Sequence, residues 1–161
     1  MYPWLVFLHV IAVFAFLMAH GVSISVAFAL RRERNPDRIQ TLLNLSGSAI
    51  GILNGAIGII LLSGIVSGFM GQWWDRGWIW LSLGLLIATA VFMFAAGTGY
   101  YGRVRTAVAA YLESQKLQSP SGLVSTAEID KLLSQSRPLL LAVVGFGSLA
   151  VITWLMKFKP F

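Results

Sequence analysis

The chain has 161 residues, of which 57% are hydrophobic and 11% are charged, and its formal net charge is +6. Soluble globular domains carry about 25% charged residues, so this composition excludes an ordinary soluble domain and predicts a membrane protein. The chain contains no cysteine, which excludes disulfides, thiolate metal sites and iron–sulfur clusters.

Four apolar runs are long enough to cross a bilayer, which takes about 20 helical residues. They cover about 4–30, 42–70, 77–99 and 138–155. The first run lacks a basic leader and is too long for a signal peptide, so we expect it to be retained. We predict an all-α, polytopic membrane protein, a four-transmembrane-helix bundle in which residues 1–161 form one membrane domain.

The distribution of basic residues predicts the orientation. The loops at 31–40 and about 100–137 contain nine of the twelve Lys and Arg residues, and the remaining three lie at 71–77 and in the C-terminal tail. Because basic loops stay on the cytoplasmic side, we predict a cytoplasmic loop at about 100–137, both termini outward, and a bacterial-type inner (plasma) membrane. This bias and contact with anionic lipid explain the positive charge, and nucleic acid is not an expected partner.

Aromatic residues agree with this orientation, because Trp and Tyr favour the membrane interface. The residues expected at the outer interface are Tyr2, Trp4, Trp73, Trp74, Trp78, Trp80 and Trp154.

The long loop contains two helical segments. "RVRTAVAAYLESQKL" is helical in composition and predicts an extension of the third helix. "SPSG" at 119–122 predicts a break. "STAEIDKLLSQSR" then predicts a short helix with Ser125 or Thr126 as its cap and Glu128 in its first turn. Pro138 is suited to the first turn of the last helix.

Small residues repeat along the second helix. Gly47, Gly51 and Gly55 lie four residues apart, which favours close packing of another helix on that face. The alternative is that they leave room for a flat porphyrin. Asn54 is a polar amide in the same segment, and we expect it to form an interhelical hydrogen bond or, alternatively, to be a partner for a histidine.

Both histidines lie in the first helix, within "LHVIAVFAFLMAHG". His9 and His20 differ by about 20° around the helix and by about 16 Å along it. They therefore share a face, which we expect to point into the bundle, and they are too far apart to hold one metal ion. Each can be a structural hydrogen-bond donor or a haem or metal ligand. Met93, at a depth comparable to His20, is a candidate opposite ligand, whereas Met18 points elsewhere.

The segment "YPWLVFLHVIAVFAFLMAHG" resembles the first helix of the membrane proteins that include the copper-resistance protein D family and the HemJ-type protoporphyrinogen oxidases. The shared features are Leu8-His9, Ser63-Gly64 and the Trp-rich "WIWLSLGLL" that opens the third helix, and the resemblance covers about the first 100 residues. It is closest to the uncharacterised members of this group.

The resemblance implies a four-helix membrane fold, and in the HemJ-type enzymes the histidine corresponding to His9 is associated with haem b. Those enzymes also need a lysine near the position of Ser82, and this chain has no lysine in that helix. This departure argues against protoporphyrinogen oxidation. The absence of cysteine and of a methionine cluster argues against copper transport.

We therefore expect a small, non-catalytic integral membrane subunit of a redox complex of respiratory or photosynthetic type, with b-type haem bound through the first-helix histidines. The expected partners are the lipid bilayer and either other membrane subunits or further copies of the chain in a homo-oligomer. The alternative is a stand-alone small transporter or metal-handling membrane protein. No catalytic residue is predicted, because the acidic residues all lie in loops. The candidate cofactor-binding residues are His9, His20, Met93, Asn54, Gly51 and Gly55, and the candidate metal ligands are His9 and His20.

Overall fold

The computed structural model describes residues 2–116 and 126–161, which are helical almost throughout. The helices are α1 (Tyr2–Leu30), α2 (Pro36–Gly71), α3 (Gly77–Met93), α4 (Gly99–Lys116), α5 (Thr126–Ser134) and α6 (Pro138–Phe158). Four helical stretches are long and apolar enough to cross a membrane, namely α1, α2, the continuous α3–α4 stretch and the stretch that contains α6. The predicted fold class is confirmed: the chain is an all-α, multi-pass membrane protein built as a helical bundle.

Helix α2 begins six residues before the predicted position, because capping rather than hydropathy sets its start. Asn35 accepts hydrogen bonds from the backbone N–H groups of Asp37 and Arg38, and Pro36 occupies the first helical position. Both features favour a helix N-terminus.

In the preceding turn, the backbone N–H groups of Asn35 and Arg34 hold the pKa of the Glu33 carboxyl below its usual value.

The third membrane helix does not end at residue 99. A π-helical turn at Phe94–Thr98 joins α3 to α4, and the chain stays helical to Lys116. The predicted extension of this helix is therefore confirmed. The predicted break at 119–122 and the alternative cap Ser125 lie outside the described residues.

Helix α5 closes one end of the bundle. Glu128 lies in its first turn and Pro138 is the first residue of α6, as predicted. Ile129 and Leu133 are buried in an apolar cluster that also contains residues of α1, α2 and α4. Other members of this cluster are Val26, Leu30, Ile39, Leu43, Val104 and Val108. We call this end of the bundle the arginine-rich end, since the Arg31–Arg38 segment lies here.

The opposite end, which we call the tryptophan end, is formed by Trp73, Trp74 and Trp78 together with both chain termini. The rings of Trp73 and Trp78 lie 5.6 Å apart, and Tyr2 contacts Trp73 edge to face. The backbone N–H of Trp78 donates to the carbonyl oxygen of Phe161 at 3.4 Å. The C-terminal tail therefore folds back onto the connection between α2 and α3.

The four membrane helices pack as two pairs. Helix α1 packs along α2, and α3 packs along α6, whereas α3 makes little direct contact with α1 or α2. In the apolar window of the third span only 6% of the residues are buried, compared with 22% in each of the other three spans. The pairs meet where α1 contacts α6 and where α2 contacts α4. Helix α3 thus stands away from α1 and α2, and space remains between the two pairs.

Candidate functional site: two cavities between the helix pairs

Two cavities lie between the helix pairs, and each is lined by one of the two histidines. The His20 cavity, of about 550 Å³, also includes Ser23, Asn54, Met93 and Arg105 in its wall. The His9 cavity, of about 340 Å³, also includes Gly64, Ser67, Trp74, Ser82 and Lys159. Both volumes fall in the range of about 300–1,000 Å³ that is usual for ligand pockets. The prediction that both histidines face the interior of the bundle is confirmed.

The cavities are stacked along the bundle axis. The His9 cavity lies toward the tryptophan end and the His20 cavity toward the arginine-rich end. Phe16, Leu86, Leu149 and Ile152 line both cavities. A layer of apolar side chains therefore separates the His9 cavity from the His20 cavity, and each cavity is lined by one imidazole.

His9 is held by a hydrogen bond to the second helix. Its Nδ1 lies 2.8 Å from Oγ of Ser63, and the Ser63 hydroxyl donates its proton to the backbone carbonyl of Ile59. Because a hydroxyl has one proton, a Ser63 hydroxyl that donates to Ile59 accepts from the imidazole Nδ1–H of His9. In the neutral ring, Nε2 then carries the free lone pair. Gly64 lies beside the ring, since a Cβ built there would be 3.5 Å from Cε1 of His9.

Replacing Ser63 by Ala is expected to remove the acceptor that fixes this tautomer. The loss of one part-buried hydrogen bond corresponds to about 1 kcal/mol of unfolding free energy. Nitrogen-15 NMR of the labelled imidazole should show a mixture of tautomers in Ser63→Ala and a single Nδ1–H tautomer in the wild type. The control is Ser48→Ala on the exposed side of α2, where the hydroxyl bonds only to its own helix. An unchanged His9 spectrum in Ser63→Ala would contradict the assignment.

His20 is buried, with 5% of its surface exposed, and its Nε2 has no hydrogen-bond partner within the described part of the chain. The ring is stacked on Phe16 and contacts Phe146 of α6 edge to face, with centroids 4.9 Å apart. Gly145 provides the space for this ring, because a Cβ at that position would overlap Nε2 of His20. A buried imidazole nitrogen without a partner is costly. In this ring position Nε2 faces the backbone of α6, so a ligand would reach it only after the ring turned away from Gly145.

Met93 lies beside His20, as its predicted depth implied. Its Cε would be 3.0 Å from a Cβ at Gly145, the same position that His20 Nε2 would overlap. A thioether and an imidazole therefore meet at the backbone of α6. The exclusion of Met18 is also confirmed, since that side chain is 74% exposed.

The π-helical turn follows Met93 directly and borders the same cavity. Phe94 and Gly97 of this turn line the His20 cavity. Single π turns within α-helices occur often at functional sites. The turn changes the direction in which the residues after Met93 face, and it is a local feature that hydropathy did not reveal.

Asn54 does not form the predicted interhelical hydrogen bond. Its side chain is exposed on α2, and it bonds to no other residue that the structure describes. It lines the His20 cavity together with the exposed side chains of Val91 and Phe94 on α3. The cavity thus opens sideways between α2 and α3, and Asn54 lies at this opening.

Gly51 and Gly55 do not form the close helix contact that their spacing favoured. A Cβ at either position would meet no atom within 4 Å, so no helix packs closely there. Both are exposed, and neither lines the His9 or the His20 cavity. The close approach occurs instead at Gly47, where a Cβ would lie 2.7 Å from Nη2 of Arg105. Four-residue spacing shows which residues share a helix face but not which neighbour that face meets.

Each cavity has one basic side chain at its end nearest the membrane surface. Arg105 lines the His20 cavity at the arginine-rich end, and its guanidinium donates to the backbone carbonyl of Leu43. Lys159 lines the His9 cavity at the tryptophan end, and its Nζ lies 4.2 Å from the ring centre of Trp73. From the sequence alone, both residues contribute only to the count of basic residues that predicts the orientation.

Two buried polar atoms in the His9 cavity wall also lack partners. They are Nε1 of Trp74 and Oγ of Ser82, judged over the residues that the structure describes. Ser82 is 3% exposed and occupies the position where the resemblance predicted a lysine. Across residues 2–116 and 126–161, no three His, Asp or Glu side chains are grouped so that they could hold a metal ion.

These features define the class of protein to which the chain belongs: a multi-pass helical membrane protein with two stacked cavities, each lined by one histidine. No family model matches the chain, and the searches of curated proteins and of solved structures found no match to it.

Proposed function

We propose that this chain is a small, non-catalytic integral membrane subunit of a redox complex, and that it binds b-type haem through His9 and His20. The observation that carries the proposal is the repeated combination in the two cavities. Each combines an apolar wall, one imidazole and one basic side chain. This combination suits haem, which has an apolar ring, a central iron that binds axial ligands, and carboxylates at one edge.

The environment of His9 supports ligation through Nε2. Metal-ligating histidines usually donate their other ring N–H to an oxygen, which fixes the ring orientation and the tautomer. The bond from His9 to Ser63 has this form. The Met93 thioether lies close to the His20 ring, and imidazole and thioether are both established ligands of haem iron. Ligation by His20 requires its ring to turn from Gly145 toward the cavity.

Bound haem would supply one-electron transfer, and the chain would supply the ligands and the apolar surroundings that tune it. The non-catalytic part of the proposal rests on the acidic residues. None of the six lines the His9 or the His20 cavity, so neither cavity wall offers a carboxylate to act as a general acid or base. The positive-inside pattern supports a bacterial-type plasma membrane with both termini outward.

The test is a dithionite-reduced minus oxidised absorption spectrum of the protein purified in mild detergent from haem-replete cells. The wild type is expected to give a b-type haem spectrum. His9→Ala and His20→Ala should each lower the haem content per protein, and the double variant should abolish it. Met18→Ala, an exposed position on the same helix, is the control and should leave the spectrum unchanged. A flat wild-type spectrum would overturn the haem proposal.

The subunit part of the proposal is tested separately by purification in mild detergent. We expect the chain to elute with a fixed set of other membrane proteins at constant stoichiometry. Elution as a stable monomer or homodimer, with haem bound, would show that the chain acts alone.

A further inference from the structure

Asn54 is a polar side chain near the middle of the membrane-spanning part of α2. It lies halfway along the helix (Pro36–Gly71), about 26 Å from each end. Its amide forms no hydrogen bond to any other residue that the structure describes. A polar group that meets only hydrocarbon is costly, because lipid chains offer it no hydrogen bond. An amide at this depth therefore indicates a partner from outside the four membrane helices of the chain.

The His20 cavity provides space directly beside this amide. Asn54 lies at the sideways opening of the cavity between α2 and α3, together with the exposed side chains of Val91 and Phe94. The cavity has a volume of about 550 Å³, and most of its lining side chains are apolar. Because the opening faces the hydrocarbon of the bilayer, a ligand that enters here is a membrane-soluble molecule.

The inner wall of the cavity suits a flat, neutral ring. The imidazole of His20 is turned toward Gly145 and stacked on Phe16, and Met93 lies beside it. Aromatic rings and thioethers make favourable contacts with flat aromatic or conjugated groups. Among the described residues that line the cavity, Arg105 at the arginine-rich end is the one with a permanent charge. The part of the cavity next to Asn54 therefore offers no charge to attract an ionic ligand.

The amide of Asn54 limits the chemistry of the ligand. A side-chain amide donates hydrogen bonds through its nitrogen and accepts them through its oxygen. The ligand thus needs a polar oxygen on an otherwise apolar body. A quinone ring meets this need in both of its stable states, because its carbonyl oxygens accept from the amide nitrogen and the hydroxyl groups of the reduced ring donate to the amide oxygen.

We infer that the His20 cavity binds a membrane-soluble quinone, and that Asn54 forms a hydrogen bond to an oxygen of its ring. The inference rests on the proposed function only in giving a redox subunit an electron-carrying ligand, since the binding itself requires no haem. Ligation of haem by His20 needs the ring to turn toward the cavity, so haem and quinone exclude each other there. Haem at His9 is compatible with a quinone in the His20 cavity.

The experiment compares decylbenzoquinone with decylbenzene, which has a similar ring and the same chain but no carbonyl group. Haem-free protein from quinone-deficient cells is immobilised in mild detergent, and the retained compound is extracted and quantified against resin with detergent alone. We expect the quinone to bind at least about 5-fold more tightly, the effect of one net hydrogen bond. Asn54→Leu should abolish this preference and leave the binding of decylbenzene unchanged.

Asn44→Leu is the matched control for the amide. Asn44 is an exposed residue of the same helix, and its side-chain oxygen accepts from Gln40 one turn earlier. Its replacement should leave the preference for the quinone as it is in the wild type. Persistence of the preference in Asn54→Leu would overturn the role of Asn54.

Ala90→Phe tests whether the cavity is the binding site. Ala90 lines the His20 cavity on α3, so a phenyl group there would fill the space and should abolish the retention of both compounds. Ala88→Phe makes the same change two residues away, at an exposed position that lines neither cavity, and should retain both compounds. Circular dichroism and gel filtration of each variant show that the fold is retained.

Three further outcomes would overturn the inference. Equal retention of the two compounds by the wild type would assign the cavity to lipid chains, and retention unaffected by Ala90→Phe would place the binding elsewhere. Because the chain has no cysteine, Asn54→Cys introduces a single thiol. Disulfide-linked dimers of this variant, formed by mild oxidation in native membranes, would show that residue 54 faces a second copy of the chain.

The haem spectrum separates this inference from the proposed function. A flat wild-type spectrum together with quinone-specific retention would overturn the haem proposal and leave the quinone site intact. A b-type haem spectrum lost in His9→Ala, with no quinone retained by the haem-free protein, would overturn the quinone site and leave haem binding intact.

Discussion

Adding one methyl group at Gly145 is expected to lower the free energy of unfolding by about 1–3 kcal/mol, the usual cost of overpacking. The new Cβ of Gly145→Ala would overlap Nε2 of His20 and lie 3.0 Å from Cε of Met93. Neither neighbour can move away easily, because the His20 ring is also packed against Phe16 and Phe146. Unfolding of the purified protein by increasing SDS in mixed micelles, followed by circular dichroism, measures the effect.

Gly147→Ala is the matched control for this prediction. It makes the same change two residues further along α6, where a Cβ would meet no atom within 4 Å. Both substitutions gain the same intrinsic helix preference of about 0.5–1 kcal/mol, so the difference between them isolates the clash with His20. Equal stability of the two variants would mean that the imidazole does not occupy the space at Gly145.

Truncation of Leu133 is expected to have the second large effect, a loss of about 2–5 kcal/mol in the free energy of unfolding. Leu133 is fully buried in the apolar cluster at the arginine-rich end, where it packs with Val104 and Val108 of α4 and with Leu43 of α2. The short helix α5 has few other means of attachment, so Leu133→Ala should also expose α5 to proteolysis. Chemical unfolding and limited trypsin digestion of the detergent-solubilised protein measure the two effects.

Leu139→Ala provides the comparison, since this leucine in the first turn of α6 is 65% exposed. Substitutions at exposed positions usually change the stability by no more than about 0.5 kcal/mol. If Leu133→Ala were as mild as Leu139→Ala, α5 would contribute little to holding the end of the bundle together.

The membrane helices could be predicted from the sequence because hydropathy acts over whole segments of about 20 residues. Their ends could not be predicted in the same way, since they depend on local polar contacts. Asn35 and Pro36 start α2 before the apolar run begins, and the amphipathic α4 continues the third helix beyond the apolar run. The pairing of α1 with α2 and of α3 with α6 depends on tertiary packing that the apolar patterns do not encode.

The candidate site was only partly predictable. His9 and His20 were identifiable because imidazoles are conspicuous in an apolar helix and because helical geometry places them on one face. The glycine that receives a histidine is Gly145 rather than Gly51 or Gly55, since that role depends on which helix lies opposite. In the sequence only the resemblance points to Ser63, and its hydrogen bond to His9 depends on the register between α1 and α2.

The stacking of the two cavities along the bundle axis has an electrical consequence. His9 and His20 are about 16 Å apart along α1, which is about half of the ~30 Å hydrocarbon layer. A transmembrane voltage acts on a charge with about 2.3 kcal/mol per 100 mV for full passage. A charge that moved from one cavity to the other would therefore gain or lose about 1 kcal/mol per 100 mV. A transmembrane voltage would therefore shift the distribution of charge between the two cavities. It would not do so if the cavities lay side by side at the same depth.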